Sequence, residues 1–376
     1  MLTSNNLWGR GVAWLAREPR ALEVLGSNPS GPNFLIFNPK LAMKIVFYEA
    51  KEDEVKYFSE HLKEFELQFF SEKINENNLV DADIISIFIY SKITKDALDK
   101  LKNLKFICTR STGYDHIDLE ECKRRGIIVS NVPSYGVNTV AEHTIALMLA
   151  ISRRIIESFE RTRRGDFSNI GLTGFELKGK TLGIIGAGRI GRRVAELAKA
   201  FGMRVIAYDI YQNLEEAKRI GYEYVDLDTL LKESDIISLH ANLTKENYHI
   251  INESSFEKMK DGVIIINTAR GALIDTKALL KYLNSGKVRA VALDVLESEP
   301  EIKEEVQVLN RELKEEELKE LLANYFLFEA EDRLKGVIIT PHNAFNSLEA
   351  LEEIKRVTLE NILSFIRGSP INVVKA

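Results

Sequence analysis

Three glycines lie in a stretch of the chain whose residue types and spacing fit a chemical role. Gly186, Gly188 and Gly191 follow a short apolar run at G-x-G-x-x-G spacing and precede a helical pattern. In such a unit the first glycine permits a tight turn, the second lets the backbone approach a pyrophosphate, and the third lets the helix pack closely on the strand. The helix N-terminus adds unpaired N–H groups and the positive end of a dipole. The spacing predicts dinucleotide binding, although an ordinary turn of an α/β protein could show the same glycines.

An acidic residue after the next predicted strand indicates which dinucleotide is bound. Asp209 stands where a carboxylate can accept hydrogen bonds from both ribose hydroxyls and would repel a 2′-phosphate. Its successors, Ile210 and Tyr211, supply no arginine that would compensate for this repulsion. We therefore predict that the cofactor is NAD rather than NADP.

Four polar clusters follow predicted strands of the same unit. They occupy residues 240–244, 267–271, 294–299 and 341–345. Ligands of open parallel sheets bind outside the carboxyl ends of the strands, so we expect the clusters to meet at one edge. Taken singly, a strand-end histidine, an Arg-Gly turn or a carboxylate before a proline is more often structural than catalytic. Their combination beside a predicted dinucleotide site favours catalysis.

Three residues of these clusters fit the needs of hydride transfer to a carbonyl group. The reaction requires a proton donor that works near neutral pH, for which histidine is suited. It requires a carboxylate that holds the imidazolium and raises its pKa. It also requires a cation that fixes an anionic substrate, and the bidentate fork of arginine does this best. The chain offers His342, Glu299 and Arg270 for these roles.

The elements that must position these residues form an alternating pattern of strands and helices. We predict an α/β protein with two doubly wound parallel sheets, a Rossmann-type NAD domain and a smaller flavodoxin-like substrate domain. The first sheet has four strand candidates, at residues 45–49, 83–89, 106–110 and 127–132. The second has seven, at residues 182–185, 205–208, 222–225, 235–239, 263–267, 288–293 and 337–339.

The predicted domain boundaries divide the chain into three parts. Residues 43–137 and 345–376 together form a discontinuous substrate domain, and residues 138–344 form the NAD-binding domain. Residues 1–42 differ in composition from the rest, so we expect an extension that is disordered or not native, with Met43 as the natural start. The alternative is an extension that packs on the surface or at a subunit contact.

Two further segments interrupt the regular alternation. Residues 138–156 read as one long apolar helix, which we expect to cross between domains or subunits. A Gly- and Arg-containing connection follows it. Residues 300–335 form a charged, mostly helical insert, which we interpret as a solvent-exposed insertion between sheet elements.

Composition excludes several classes of protein. The chain has 376 residues, 45% hydrophobic and 28% charged, with a net charge of −5. Neither nucleic acid nor a membrane surface is an expected partner, and no apolar run approaches the roughly 20 residues that a membrane helix needs. Cys108 and Cys122 show no metal spacing and are expected to be buried or neutral thiols. We predict a cytoplasmic protein without a metal site.

Six stretches of the chain carry a resemblance to the D-isomer-specific 2-hydroxyacid dehydrogenase family, and within it to the D-lactate dehydrogenase branch. They are RSTGYDHIDL, NVPSYGVNTVAEHT, GKTLGIIGAGRIG, NTARG, LDVLESE and TPHNAF. The resemblance covers the chain from about Met43 to its end. It implies that Arg270 binds the substrate carboxylate and polarises the carbonyl. It also implies that His342 is the general acid in reduction and the base in oxidation, with Glu299 as its partner.

The resemblance also implies which residues line the cofactor and the substrate. Asp294 is expected to contact the nicotinamide end of NAD, and the backbone N–H groups of Thr112 and Gly113 to grip the substrate carboxylate. Tyr135 and Phe345 resemble pocket residues of the D-lactate branch. The other implied cofactor positions are Gly186, Gly188, Arg189, Ile190, Gly191, Asp209, Ala241, Asn242, Asn247, Thr268, Ala269 and Arg270.

The chain departs from the family pattern at several places. Most members have proline where Asn242 stands, which puts the shape of that loop in doubt. The insert over residues 300–335 is longer than in most members, although the D-lactate branch also lengthens here, and residues 1–42 match nothing in the family. Formate dehydrogenases of the same fold carry glutamine where this chain has Glu299, which disfavours that reaction.

The resemblance favours reversible reduction of a small 2-keto acid by a homodimer, with pyruvate as the leading substrate. Glyoxylate, hydroxypyruvate and bulkier keto acids stay open, because one methylene changes pocket energetics by only about 1–3 kcal/mol. A phosphoglycerate-type dehydrogenase is disfavoured, because that type usually carries an additional C-terminal regulatory domain. An alternative from another class is an NAD-sensing interaction protein, like the corepressors that share this fold.

Overall fold

A smaller parallel sheet forms the first part of the fold. The computed structural model describes residues 43–297, 323–324, 326–327 and 336–374. The predictions for residues 1–42, for Glu299 and for most of the 300–335 insert concern residues outside these ranges. Five strands pair in the order β2-β1-β3-β4-β5. They are β1 (Lys44–Phe47), β2 (Glu66–Phe69), β3 (Ile84–Ile87), β4 (Phe106–Thr109) and β5 (Ile128–Ser130), with helices α1 (Glu52–His61), α2 (Lys95–Lys100) and α3 (Leu119–Arg124).

The sequence prediction of four strands for this sheet was wrong by one. β1, β3 and β4 are apolar and almost wholly buried, as expected for parallel strands covered on both faces. β2 lies at the edge and pairs only with β1. Its sequence, ELQF, alternates polar and apolar residues and none of its side chains is fully buried. This alternation is the pattern of a half-buried strand, but over four residues without a buried apolar run it is a weak signal.

A larger parallel sheet of seven strands confirms the predicted Rossmann-type architecture. Its order is β12-β11-β10-β9-β6-β7-β8, and the chain reverses direction across the sheet between β6 and β9. The strands are β6 (Thr181–Ile185), β7 (Arg204–Tyr208), β8 (Glu223–Tyr224), β9 (Ile236–Leu239), β10 (Val263–Asn267), β11 (Val288–Leu293) and β12 (Val337–Ile339). The helices are α4 (Val137–Arg153), α5 (Ile155–Arg163), α6 (Arg189–Ala200), α7 (Leu214–Ile220), α8 (Leu227–Glu233), α9 (Glu253–Lys258) and α10 (Thr276–Asn284). Ligands of such sheets bind at the point of reversal.

The prediction of one helix over residues 138–156 was wrong. α4 ends at Arg153, Arg154 adopts a left-handed conformation with φ 50° and ψ 48°, and α5 begins at Ile155. The segment predicted as a plain connection therefore contains a second helix. α4 buries one face against the core beneath α6, whereas α5 has no fully buried residue. Apolar content alone does not reveal the break, because the isoleucines continue from Ile151 in α4 to Ile155 and Ile156 in α5.

The last described helix, α11 (Leu348–Ile366), packs on the smaller sheet. Phe365 stacks on Phe106 of β4 with ring centroids 4.4 Å apart, and Ile362 belongs to the same core as Phe47 and Phe58. This packing supports the proposed division into residues 43–137 with 345–376 and residues 138–344. None of the helices in the described ranges has the length and apolar character needed to cross a membrane.

Both cysteines are buried free thiols, as predicted. Burial raises the pKa of Cys108 to about 12 and that of Cys122 to about 11. Cys108 lies in β4, where its thiol faces Asn361 of α11. The two thiols therefore stay protonated at neutral pH and act as small core side chains.

Candidate active site

The glycine turn after β6 has the shape that a bound dinucleotide requires. Gly186 has φ 95°, and a Cβ there would overlap the backbone of Ala241. A Cβ at Gly191 would overlap the carbonyl oxygen of Gly186, so the glycine lets α6 pack against the turn. Gly188 is exposed at the N-terminus of α6, and a Cβ there would meet nothing within 4 Å. The open space at Gly188 fits the close approach of a pyrophosphate to the helix N-terminus.

This difference between the glycines predicts two distinct alanine phenotypes. Gly188→Ala should fold like the unchanged protein, because its backbone (φ −69°, ψ −161°) suits alanine and the methyl group meets no protein atom. Its Kd for NADH, measured by fluorescence titration, should rise at least about tenfold because the methyl group displaces the pyrophosphate.

Gly191→Ala is the matched variant for stability. Its methyl group would collide with backbone, so the melting temperature should fall by several degrees or more. A Gly188→Ala variant with unchanged NADH affinity would contradict the proposed path of the pyrophosphate.

The other predicted cofactor residues lie along the carboxyl edge of the larger sheet. Asp209 follows β7, and its Oδ1 accepts a hydrogen bond of 2.9 Å from the Tyr211 backbone N–H, which orients the carboxylate. Asn247 donates to the carbonyl oxygen of Asn242 (2.6 Å) and accepts from the N–H of Thr244 (2.7 Å). These two bonds close the loop in which the family usually has proline. Ala241, Ala269 and Ile190 are half-buried at the same edge.

Thr268 is tied to helix α4 by a hydroxyl pair. The hydroxyl of Thr144 donates to the carbonyl oxygen of Val140 (2.8 Å), so at its 3.0 Å contact with Thr268 it must accept. This bond links the β10 edge to the helix that precedes the glycine turn. Arg189 makes a further link, because its Nη1 donates to the carbonyl oxygen of Pro133 at 2.8 Å. Arg189, predicted to flank the pyrophosphate, therefore also contacts the loop that follows β5.

Arg270 lies in a tightly fixed turn after β10. Asn267 donates to the carbonyl oxygen of Arg270 (2.9 Å) and accepts from the N–H of Ala269 (3.0 Å). A Cβ at Gly271 would overlap the backbone of Leu296, so the chain that leads towards position 299 passes directly beside this turn. The turn holds the Arg270 backbone, and its side chain reaches across to the smaller sheet.

The guanidinium of Arg270 rests on the loop that follows β4. A Cβ at Gly113 would overlap Arg270 Nη2, which shows how closely the two groups approach. Arg270 Nε and Nη2 lie 3.2 Å and 3.1 Å from Asp115 Oδ1. Burial raises the pKa of Tyr135 to about 12, against the opposing effects of the Arg270 charge and a hydrogen bond from the Thr112 backbone. The structure thus brings Arg270 together with Thr112, Gly113 and Tyr135.

His342 lies in a short loop after β12 that is organised by Asp294. The buried Asp294 carboxylate accepts hydrogen bonds from the Thr340 hydroxyl (2.5 Å) and from the N–H groups of Asn343 (3.0 Å) and Ala344 (2.9 Å). His342 itself adopts a left-handed φ of 51°. Asp294, predicted to contact the nicotinamide, therefore also holds the loop that carries the histidine.

An aromatic cluster connects the His342 loop with the Arg270 site. The Phe345 ring lies 6.4 Å from His342, 6.3 Å from Tyr135 and 5.4 Å from Phe88 between ring centroids. Tyr135 therefore neighbours both Arg270 and the residues around His342. Phe88 was not among the predicted site residues, although it directly follows β3 and the rule that ligands gather at strand ends applies to it equally.

Two other histidines near the cleft are held neutral. Burial lowers the pKa of His240 to about 3, and its Nε2 lies 2.8 Å from the Ser238 hydroxyl. Burial also lowers the pKa of His116 to about 4, against the charge of Asp115. Neither can carry a proton for delivery near neutral pH. In the described ranges, no group of three or more His, Cys, Asp or Glu side chains could hold a metal ion.

Comparison with known proteins identifies the family. Residues 145–344 match the NAD-binding domain of the D-isomer specific 2-hydroxyacid dehydrogenases. The chain is 39% identical over 335 residues to the D-lactate dehydrogenase of Escherichia coli (strain K12), covering 87% of this chain and 98% of that protein. It is 40% identical over 302 residues to the glyoxylate reductase of Thermococcus litoralis, covering 78% of this chain and 84% of that protein.

A solved structure shows the same fold. The D-lactate dehydrogenase of Aquifex aeolicus, complexed with NAD and lactic acid, superposes with a TM-score of 0.79. It is 40% identical in sequence, and the match covers 86% of this chain and 96% of that one. With its glycine turn, its strand-end polar residues and these likenesses, the chain belongs to the D-isomer-specific 2-hydroxyacid dehydrogenase family, and it is an NAD-dependent oxidoreductase.

Proposed function

We propose that the protein reduces a small 2-keto acid, with pyruvate favoured, to the D-2-hydroxy acid, and that it catalyses the reverse reaction. NADH bound along the glycine turn supplies the hydride that C2 of the keto acid receives. Arg270 binds the substrate carboxylate and polarises the carbonyl. His342 delivers a proton to the carbonyl oxygen, and Glu299 holds the imidazolium.

One observation carries this proposal. The Arg270 guanidinium lies against Gly113 and its charge acts on Tyr135, and Phe345 joins Tyr135 to the loop of His342. The arginine and the N–H groups of the Gly113 loop would bind the substrate carboxylate. The neighbouring carbonyl of the substrate would then face the His342 loop. The carbonyl carbon of a 2-keto acid is bonded directly to its carboxylate carbon, so both groups can be bound in one cleft.

The aromatic cluster supports a small substrate. Phe88 and Tyr135 both pack on the Phe345 ring beside the His342 loop, and these three aromatic side chains favour a substrate with a small side chain. Glyoxylate and hydroxypyruvate are the alternatives, and the Thermococcus litoralis relative is a glyoxylate reductase. Since one methylene changes specificity by only about 10- to 200-fold, the ranking must be measured.

A panel of 2-keto acids tests the proposal. NADH oxidation is followed with pyruvate, glyoxylate, hydroxypyruvate, 2-oxobutyrate and phenylpyruvate, and each reaction is repeated with NADPH. We expect the highest kcat/KM for pyruvate with NADH, a D-configured product, and a strong preference for NADH because of Asp209. A higher value for glyoxylate or phenylpyruvate would overturn the pyruvate assignment. Tight NADH binding with negligible turnover of all five acids would favour the NAD-sensing alternative.

We also propose that the protein is a homodimer. α5 and the chain after it expose large apolar side chains, whose exposed fractions reach 85%. They are Ile155, Ile156, Phe159, Phe167 and Ile170. A patch of this kind on one side of a protein favours burial against a second copy. Sedimentation equilibrium should give twice the chain mass of 42.7 kDa, and Phe167→Glu should shift the protein towards the monomer.

A further inference from the structure

We propose that Asp115 is a positioning residue that aims the Arg270 guanidinium at the substrate carboxylate. This inference rests on the proposed role of Arg270 in substrate binding. Asp115 belongs to the loop after β4 and Arg270 to the turn after β10, so the contact joins residues 155 positions apart. Asp115 would then act through Arg270 without touching the substrate.

The hydrogen-bond donors of Arg270 show which edge of the guanidinium stays available. A guanidinium has five N–H donors in a planar fork. Nε and one N–H of Nη2 share Asp115 Oδ1, and one N–H of Nη1 donates to the carbonyl oxygen of Ala269 at 2.8 Å. Nε and Nη2 lie on the same side of the fork, so Asp115 occupies the side edge. One donor remains on each terminal nitrogen, and we assign this pair to the end of the fork, which can bind a carboxylate with two parallel hydrogen bonds.

The loop that carries Asp115 does not need the carboxylate to keep its shape. The Thr112 hydroxyl donates to the Val132 carbonyl oxygen (2.9 Å), and Asn131 donates to the Thr112 carbonyl oxygen (2.7 Å). The Ser111 hydroxyl donates to the Gly113 carbonyl oxygen at 2.7 Å. These neutral bonds fix the backbone around Gly113 on their own.

A directed chain of hydrogen bonds strengthens the same backbone. Because Ser111 gives its proton to Gly113, its 2.7 Å contact with Thr109 requires Thr109 to donate. His116 Nε2, at 3.2 Å from the Thr109 hydroxyl, must then donate in turn. His116 is neutral, as its lowered pKa indicates, and still has the proton that this chain needs. Removal of the Asp115 carboxylate therefore frees the arginine and the Asp115 backbone N–H, and it leaves these loop bonds in place.

Charge favours the same assignment. Burial opposes ionisation of Asp115, but the charge of Arg270 and its hydrogen bonds together hold the pKa of the carboxyl below its ordinary value. Asp115 is thus ionised at neutral pH and fixes a side chain that would otherwise sample several rotamers. In the opposite role, Asp115 would compete with the substrate for the guanidinium. The Asp115 and substrate carboxylates would then have to bind the same edge of the guanidinium.

Kinetics of matched variants test the proposal. Asp115→Ala should raise KM for pyruvate about tenfold or more and leave Kd for NADH unchanged, and Asp115→Asn should recover part of the loss because its amide oxygen still accepts from the guanidinium. Asp118→Ala is the control in the same segment, because the Asp118 side chain caps α3 through the Glu121 N–H. That control should leave KM unchanged.

A double-mutant cycle shows whether Asp115 acts through Arg270. Asp115→Ala should change kcat/KM less than twofold when Arg270 is already alanine. An equal effect in both backgrounds, or an unchanged or lower KM in Asp115→Ala alone, would overturn the inference. If Arg270→Ala itself keeps unchanged kcat/KM, the proposed substrate site is wrong and the role of Asp115 falls with it. A large loss in Arg270→Ala with none in Asp115→Ala refutes only the role of Asp115.

Discussion

Replacing His342 with glutamine should lower kcat for pyruvate reduction by about 10²- to 10⁴-fold, the range that a lost general acid costs. Glutamine keeps a hydrogen-bond donor at this position but cannot release a proton to the carbonyl oxygen. Asp294 holds the surrounding loop through Thr340, Asn343 and Ala344, so the substitution should not disturb the fold. Steady-state NADH oxidation gives kcat, and fluorescence titration should show unchanged NADH affinity.

The control for this experiment is a histidine far from the cleft. His61 is exposed at the end of α1, where its Nδ1 contacts the Tyr57 carbonyl oxygen. His61→Gln should keep full activity. If His342→Gln retains a kcat close to that of the unchanged protein, another group delivers the proton. His240 and His116 would not be candidates, because burial keeps both neutral.

Replacing Arg270 with lysine should lower kcat/KM for pyruvate by about 10²- to 10³-fold, or about 3–4 kcal/mol. Lysine keeps the positive charge but offers a point charge in place of two parallel donors, so it cannot bind Asp115 and a substrate carboxylate in the observed geometry. We expect most of the effect in KM, with a smaller loss in kcat because the carbonyl is less well polarised. Initial rates over a pyruvate titration separate the two constants.

Arg356 offers a matched control on the surface of α11. It pairs with Glu353 and Glu360 and is half exposed, so Arg356→Lys should leave both constants unchanged. Unchanged KM and kcat in Arg270→Lys would remove this arginine from the substrate site. Because the turn around Arg270 is held by Asn267 through backbone contacts, misfolding is not the expected cause of a loss.

Most of the fold was predictable because parallel strands carry a strong local signal. β6, β9, β10 and β11 are mostly apolar and almost wholly buried, and all four were placed within one or two residues. β2 was missed because an edge strand needs no buried apolar run. The break between α4 and α5 was missed because a single residue, Arg154, changes the direction of the chain while the apolar pattern continues.

Local sequence patterns also predicted part of the candidate site. The glycine spacing predicts the turn at Gly186, and the structure shows the three different environments that this spacing requires. The strand-end rule predicts the regions around Arg270 and His342. The rule did not assign a role to Asp115 or Phe88, although both lie at strand ends of the smaller sheet.

The sequence by itself determined the fold class, the cofactor and the chemical types at the site, because each depends on residues close together in the chain. Only the tertiary structure decided which of those residues face one another. Arg270 meets Asp115 across 155 positions, and Phe345 meets Phe88 and Tyr135, because two separate sheets place their carboxyl edges on one cleft. Contacts of this kind depend on how the sheets pack, and no local pattern of residues records that arrangement.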